Sequence, residues 1–255
     1  MGARPVAVIT GGRRGIGLGI ARALAADGFD IALTGIGEPV EGDPALAELW
    51  AMGAKAIYVQ SDLARLESHQ GAVDAVMQRF GRIDCLVNNA GIASVVRGDF
   101  LELAPENFDT IIATNLRGTV FFTQAVLKAM LVTEARGPRS IVNITSVSAA
   151  MSSPERLDYC MSKAALSSFS QGLALRLAET GIAVFEVRPG IVRSDMTAGV
   201  SVKYNRLIGD GLVPMKRWGE PADIGAIVSG LASGKFGFAT GTVIDADGGL
   251  SIARL

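Results

Sequence analysis

The stretch that decides the fold is residues 6–17, VAVITGGRRGIG. Its first five residues, 6–10, form a short apolar run that is typical of a buried strand. Four glycines follow within seven positions, and a helical pattern begins at residue 15. A strand, a glycine-rich turn and a helix in this order present free backbone N–H groups at the helix start, where a phosphate binds. The stretch therefore predicts a parallel α/β unit with an anion-binding turn.

The same alternation continues along the chain. Further strands are predicted at residues 31–34, 56–60, 83–88, 140–145, 183–188 and 242–245, and helices at 15–27, 44–52, 66–80, 105–131, 157–179 and 221–233. The strands are continuously apolar, as in a parallel sheet that is covered on both faces. We expect an α/β fold: one doubly wound, Rossmann-type domain over residues 1–255, with about seven strands and helices on both faces. Residues 193–215 are the least regular, and they predict either a mobile lid over a site or an ordinary surface excursion.

Composition excludes several classes of protein. Of the 255 residues, 49% are hydrophobic and 19% are charged, which argues against disorder. The net charge is −1 and the basic residues are scattered, so neither nucleic acid nor an anionic membrane is an expected partner. No apolar run reaches the ~18 residues of a membrane span.

The cysteines and the histidine are equally informative. Two cysteines, Cys85 and Cys160, predict reduced thiols and a cytoplasmic location. The single histidine, His69, lies in a polar stretch, so we expect it to be exposed and inert, and we expect no metal site.

Four polar residues in the second half of the chain predict the chemistry. Tyr159 and Lys163 are four residues apart on a predicted helix, so both side chains can reach one site. A phenol has a pKa near 10, and a neighbouring ammonium lowers it toward the working range of a general acid or base. Ser146 ends a predicted strand and can hydrogen-bond a substrate oxygen, and Asn115 lies on another predicted helix.

Taken in order, these motifs resemble those of the short-chain dehydrogenase/reductase family. The turn reads T-G-x-x-x-G-x-G over residues 10–17, residues 88–91 read N-N-A-G, and Ser146 precedes Tyr159 by 13 residues. The resemblance covers nearly the whole chain and implies hydride transfer between a nicotinamide dinucleotide and a carbonyl or alcohol. It implies that Asn115 supports a proton relay beside Lys163. It also implies contacts to the cofactor from Gly11, Arg13, Arg14, Gly15, Ile16, Gly17, Asp62, Leu63, Asn89, Ala90, Gly91, Tyr159, Lys163, Pro189, Gly190, Val192 and Ser194.

The choice between NADP and NAD rests on two positions. A carboxylate about 20 residues beyond the glycine turn binds the ribose 2′-hydroxyl of NAD, but counting from Gly15 reaches Gly35. Glu38 lies three residues further, which leaves NAD open as the alternative. Arg14 stands where basic residues of relatives pair with a 2′-phosphate, and NADP is therefore favoured.

The substrate is predicted only as a class. Residues 189–197 and 217–221 look most like bacterial 3-oxoacyl-acyl-carrier-protein reductases, so a small-molecule carbonyl of the 3-oxoacyl-thioester type is expected. The alternatives are a sugar or polyol dehydrogenase that uses NAD and, more remotely, a dinucleotide-binding protein without catalysis. Glu155, Arg156 and Asp158 either rim the pocket or form a charged surface. The apolar helix at residues 157–179 predicts association between subunits, as in the family's usual homotetramer, with a homodimer as the alternative.

Overall fold

A computed structural model describes residues 4–254 as one parallel sheet between two layers of helices. The strand order is β3-β2-β1-β4-β5-β6-β7, and every pair of neighbours is parallel. The strands are β1 (Val6–Thr10), β2 (Asp30–Gly35), β3 (Ala56–Gln60), β4 (Cys85–Asn88), β5 (Arg139–Ile144), β6 (Ile182–Pro189) and β7 (Val243–Ala246). The order reverses between β1 and β4, and ligands bind at the carboxyl ends of the strands beside such a reversal. The predicted Rossmann-type sheet is confirmed.

Nine α-helices connect or follow these strands in the described part of the chain. They are α1 (Gly15–Ala26), α2 (Pro44–Ala51), α3 (Glu67–Phe80), α4 (Pro105–Ile112), α5 (Thr119–Val132), α6 (Leu157–Leu177), α7 (Asp195–Ala198), α8 (Ser201–Gly209) and α9 (Pro221–Ala232). Among residues 4–254, none of these helices combines the length and the apolar character that crossing a bilayer requires.

The two faces of the sheet are packed by different helices. On one face, Ile20 and Leu24 of α1, Leu49 of α2 and Val228 of α9 pack against the sheet. On the other face, α3, α5 and α6 contribute Val73, Phe122 and Leu177 among others. Burial on both faces explains why the strands read as continuous apolar runs.

The helix predicted over residues 105–131 is not continuous. It consists of α4 and α5, joined by a π-helical turn over Ala113–Gly118. At Gly118 the helix touches the backbone of Leu63, and a side-chain Cβ there would lie 2.6 Å from the Leu63 carbonyl carbon. The π turn carries Asn115, and such turns are frequent at functional sites.

Residues 193–215 are more regular than the sequence indicates. They contain α7 and α8, and Ile208 and Val213 are buried together with Trp218 in a small core of their own. The periodicity was missed because neither helix exceeds nine residues.

His69 contradicts the expectation of an exposed side chain. It is only 3% exposed, its Nε2 lies 3.1 Å from the Leu63 carbonyl oxygen, and its ring meets the Phe122 ring edge-on. The polar neighbours in the sequence point to solvent, whereas His69 falls on the buried stripe of α3 with Ala72, Val73 and Val76. Burial lowers the pKa of its imidazole.

Candidate active site

The glycine turn forms a cradle at the carboxyl end of β1. Gly11 and Gly15 have φ angles of 64° and 54°, which other residues rarely adopt. At Gly17 a Cβ would lie 2.6 Å from the Asn89 amide nitrogen. Among the described residues, no side chain caps the N-terminus of α1, so its first N–H groups face the cradle. This cradle fits the pyrophosphate of a dinucleotide.

The loop after β4 is tied to the glycine turn. The Asn89 amide donates to the carbonyl oxygens of Thr10 (2.8 Å) and Gly11 (3.2 Å). The Thr10 hydroxyl accepts from the backbone N–H groups of Asn89 and Ala90. The predicted N-N-A-G turn therefore fixes the width of the crevice between β1 and β4.

Both arginines of the turn have acidic partners. Arg13 Nε lies 2.7 Å from a carboxylate oxygen of the buried Asp43, its guanidinium stacks on Tyr58, and its Nη1 donates to the Glu38 carbonyl. Arg14 Nη1 lies 2.8 Å from the Asp195 carboxylate, and both side chains of this pair are exposed.

The segment after β6 closes the crevice on the opposite side. The backbone of Gly190 approaches Asp247 so closely that a Cβ would lie 2.7 Å from the Asp247 Cβ. Val192 is buried and forms a bridge with Gly219. Ser194 faces Gly15, and its hydroxyl and that of Thr197 form a capping box at α7.

Asp62 and Leu63 lie after β3 at the edge of the same crevice. An Asp62 carboxylate oxygen accepts from the Ala64 N–H at 2.9 Å. The Leu63 side chain is buried, so contact with a ligand there falls to its backbone.

Tyr159, Lys163 and Ser146 meet where β5 ends against α6. The Lys163 ammonium donates to the Ile144 carbonyl at 3.1 Å and lies 5.8 Å from the centroid of the Tyr159 ring. Ser146 is half-buried, and its hydroxyl accepts from the Ser148 N–H. The predicted one-face arrangement of Tyr159 and Lys163 therefore exists.

Burial dominates the acid–base properties of this pair. It raises the pKa of Tyr159, so the lowering expected from Lys163 is not observed; the Ser146 hydroxyl and the charges of Arg156 and Arg97 oppose this rise. Burial also lowers the pKa of Lys163 to about 8, against the opposing charge of Glu186. The pKa of Lys163 therefore lies well below that of an ordinary lysine.

Asn115 is buried in the π turn and holds the backbone of Ile92. Its Oδ1 accepts from the Ile92 N–H at 2.8 Å, and its Nδ2 donates to the Ile92 carbonyl at 2.9 Å. A Cβ on Gly91 would lie 3.1 Å from Asn115 Oδ1 and 3.5 Å from Lys163 Nζ. Gly91, Asn115 and Lys163 thus converge, and a Cβ on Gly91 would be in tight contact with Asn115 Oδ1.

The sequence left open whether the three charged residues before Tyr159 rim the pocket. Asp158 is 1% exposed, and its Oδ1 accepts from the hydroxyl of the buried Ser94 at 2.7 Å, so it braces a loop. The Arg156 guanidinium lies 5.6 Å from the centroid of the Tyr159 ring, whereas Glu155 is exposed.

Comparison with known proteins places this chain in a family. A family model described as "Enoyl-(Acyl carrier protein) reductase", of the short-chain type, matches residues 11–251. The chain is 33% identical over 244 residues to a 3-oxoacyl-[acyl-carrier-protein] reductase of Staphylococcus epidermidis, covering 96% of this chain and 98% of that protein. It is 36% identical over 248 residues to an uncharacterized oxidoreductase of Methylorubrum extorquens, covering 96% and 97%.

A solved structure is more similar still. A 3-oxoacyl-[acyl-carrier protein] reductase from Brucella melitensis, in complex with NAD, is 64% identical, covers both chains completely and superposes with a TM-score of 0.97. The chain belongs to the short-chain dehydrogenase/reductase family. It is therefore an oxidoreductase of that family, as its motifs indicate.

One group of polar residues in this short-chain dehydrogenase/reductase was missed in the sequence. It lies between the sheet and helices α5 and α6 and forms two hydrogen-bonded sets: Asn88, Thr123, Asn143 and Ser170 in one, and Thr145, Ser167, Glu186 and Arg188 in the other. The available signal was a polar residue inside an otherwise apolar strand, as in VFEVR at residues 184–188.

Proposed function

We propose that this enzyme reduces the ketone of a 3-oxoacyl thioester to a secondary alcohol, reversibly, with a nicotinamide dinucleotide. The observation that carries the proposal is the buried pair of Tyr159 and Lys163 beside Ser146, at the edge of the sheet where the glycine cradle also opens. The names of its relatives support the substrate class.

Each side chain of the site has a distinct task in this proposal. When bound, the reduced dinucleotide supplies the hydride to the carbonyl carbon. The Ser146 hydroxyl donates a hydrogen bond to the carbonyl oxygen, and the Tyr159 phenol gives that oxygen its proton. The Lys163 ammonium stabilises the phenolate that remains. Asn115 holds the loop beside Lys163, where the proton relay is proposed to begin. In the reverse direction Tyr159 is the base.

The cofactor would lie along the crevice already described. We propose that Gly11, Gly15, Ile16 and Gly17 bind the pyrophosphate, Asp62 and Leu63 the adenine, and Asn89, Ala90 and Gly91 the middle of the dinucleotide. Pro189, Gly190, Val192 and Ser194 would hold the carboxamide, and Tyr159 and Lys163 the adjoining ribose.

The choice of cofactor depends on the two arginines. We propose that Arg14, whose partner Asp195 is an exposed carboxylate, exchanges that carboxylate for the 2′-phosphate of NADP. Arg13 is held by the buried Asp43 and is less available. These acidic partners weaken the preference for NADP, and NAD remains the alternative. Arg14→Gln is expected to lower the ratio of kcat/KM for NADPH over NADH, whereas an unchanged ratio would remove Arg14 from this role.

The second candidate is an NAD-dependent sugar or polyol dehydrogenase. The observation that favours it is the set of carboxylates around the end of β2, where Gln60 binds the Glu38 side chain and Asp43 binds Arg13. A non-catalytic dinucleotide-binding protein is the most remote alternative, because it gives the buried Tyr159 and Lys163 no task.

The test follows the absorbance of NADPH and NADH in parallel after addition of a short 3-oxoacyl thioester. We expect rapid loss that Tyr159→Phe reduces by at least about 100-fold while cofactor binding persists. Absence of turnover with the thioester, together with oxidation of polyols by NAD, would support the dehydrogenase instead. Near-normal turnover in Tyr159→Phe would remove Tyr159 from the mechanism.

We also propose that the enzyme is a homotetramer, with a homodimer as the alternative. Phe121 and Leu131 of α5 and Met161 and Leu175 of α6 are exposed, and Leu175 reaches 82%. Apolar side chains in such positions support helix–helix contacts between copies. Light scattering after size exclusion measures the oligomeric state.

The buried, unpaired Cys85 and Cys160 support the proposed cytoplasmic location.

A further inference from the structure

A buried carboxylate that the proposed mechanism does not use lies behind the active site. Glu186 is in the middle of β6 and is 1% exposed. Its Oε1 accepts from the Thr145 hydroxyl and from Arg188 Nε, both at 2.7 Å, and its Oε2 accepts from the Ser167 hydroxyl at 2.7 Å. Arg188 Nη2 also donates to the Ser167 hydroxyl at 2.8 Å. Burying a carboxylate is costly unless it is paired and hydrogen-bonded in this way.

The partners of Glu186 lead to the active site from two sides. Thr145 directly precedes Ser146 at the end of β5. Ser167 lies on α6 four residues after Lys163 and eight after Tyr159, so the three side chains share one helical stripe. The carboxylate of Glu186 therefore joins the segment that carries Ser146 to the helix that carries the acid–base pair.

Lys163 has no carboxylate within salt-bridge distance in residues 4–254, although its ammonium is almost completely buried. Its hydrogen bond goes to the uncharged Ile144 carbonyl. Glu186 supplies the negative charge that acts on Lys163 across the sheet–helix interface, and this charge raises the pKa that burial lowers.

We propose that Glu186 is a positioning residue for this reaction, which keeps Lys163 protonated and fixes Ser146 relative to Tyr159. The proposal rests on the catalytic roles proposed for Tyr159 and Lys163, and it does not depend on the identity of the carbonyl substrate.

Within residues 4–254, few other charged or titratable groups lie near this cluster. From α6 they are Tyr159, Lys163 and the buried Asp158, whose Oδ1 is bonded to Ser94. From β6 the group is Arg188, and from the neighbouring β7 it is the exposed Asp245, which pairs in register with Arg188. Asn143, opposite Glu186 on β5, is uncharged.

The test compares Glu186→Gln with Arg188→Gln. Both substitutions break the same ion pair, so a purely structural role predicts similar losses of activity and of Tm in both. If Glu186 acts on Lys163, loss of its charge shifts the alkaline limb of kcat/KM to lower pH by about one unit or more. Arg188→Gln removes a positive charge instead, so its alkaline limb stays in place or moves to higher pH. Glu186→Asp keeps the charge and is expected to keep the limb while kcat falls, because the Thr145 contact is lost.

A measurement that needs no substrate separates this proposal from the proposed function. The chain has six lysines, and Lys163→Met identifies the Lys163 signal in ¹³C NMR of lysine-labelled protein. We expect its titration midpoint to fall in Glu186→Gln and not in Arg188→Gln. Equal midpoints in wild type and folded Glu186→Gln would overturn the proposal. If Glu186→Gln does not fold, a midpoint in Glu186→Asp near that of wild type supports the proposal, and a fall as large as about one pH unit overturns it. Inactivity of the wild type on thioesters, with the midpoints moving as expected, would overturn only the substrate assignment.

Discussion

The two faces of the sheet serve the site in different ways. The face under α1, α2 and α9 is filled by aliphatic side chains, and it contributes the backbone of the glycine turn. The face under α3, α5 and α6 has an apolar core, but toward the active site it carries two hydrogen-bonded sets of buried amides, hydroxyls and charges. The glycine turn presents backbone N–H groups, so it requires only rigid support and positions without side chains. An acid–base pair made of side chains needs polar neighbours, and those neighbours are costly to bury unless they are hydrogen-bonded.

One added methyl group in the glycine turn is expected to weaken both dinucleotide binding and stability. In Gly17→Ala the new Cβ would press on the Asn89 amide that holds the crevice together. We expect dinucleotide affinity, measured by fluorescence titration, to fall by at least about tenfold and stability to fall by about 1–3 kcal/mol.

Gly71→Ala is the matched control. Gly71 is exposed on α3, and a Cβ there would have no heavy atom within 4 Å. This variant is expected to gain about 0.5–1 kcal/mol of stability, with unchanged cofactor affinity. Equal dinucleotide affinity in Gly17→Ala and Gly71→Ala would show that the close backbone packing at Gly17 does not control cofactor binding.

The buried ammonium of Lys163, on the polar face of the sheet, should make the stability of the protein depend on pH. Because the pKa of Lys163 is about 8 when folded and 10.5 when unfolded, the unfolded chain binds the extra proton between these values. Stability therefore gains a favourable contribution as the pH rises from about 8 to 10.5, worth about 3 kcal/mol in full. Keeping Lys163 charged at neutral pH costs that amount.

Lys163→Met removes this contribution, so the unfolding free energy of wild type relative to the variant should increase over that pH range. Urea titrations at pH 7, 8.5 and 10 measure the difference. A constant difference would mean that Lys163 keeps an ordinary pKa in the folded protein.

The smallest expected difference is in stability, between substitutions at two adjacent residues of β5 that point to opposite faces of the sheet. Val142→Ala, on the aliphatic face, should cost about 2 kcal/mol through lost burial and a cavity. Asn143→Ala leaves the amide of Asn88 and the hydroxyl of Ser170 without one partner each, and should cost about 3 kcal/mol. A smaller loss of unfolding free energy in Asn143→Ala than in Val142→Ala, measured by urea unfolding, would indicate that the buried polar residues contribute less to stability than the aliphatic core.

Prediction from the sequence succeeded where the local pattern is repeated or unusual. The seven strands alternate with helices, and the glycine spacing and the Tyr159–Lys163 interval each have a direct geometric consequence. It failed where the cause lies elsewhere in the chain. The π turn at Ala113–Gly118 packs against the backbone of Leu63, and His69, on the buried stripe of α3, packs against the Phe122 ring.

The sequence by itself therefore determined the parallel α/β architecture, the glycine-rich turn and which residues are proposed for the acid–base chemistry, because each rests on spacing within one or two consecutive elements. Tertiary structure alone decided which charges stand beside them. Glu186 reaches the helix that carries Tyr159 and Lys163 only when β6 pairs with β5 and α6 packs over both, and Arg14 meets Asp195 across 181 positions. The strength of an electrostatic interaction depends on distance and burial in space, and neither quantity can be read from separation along the chain.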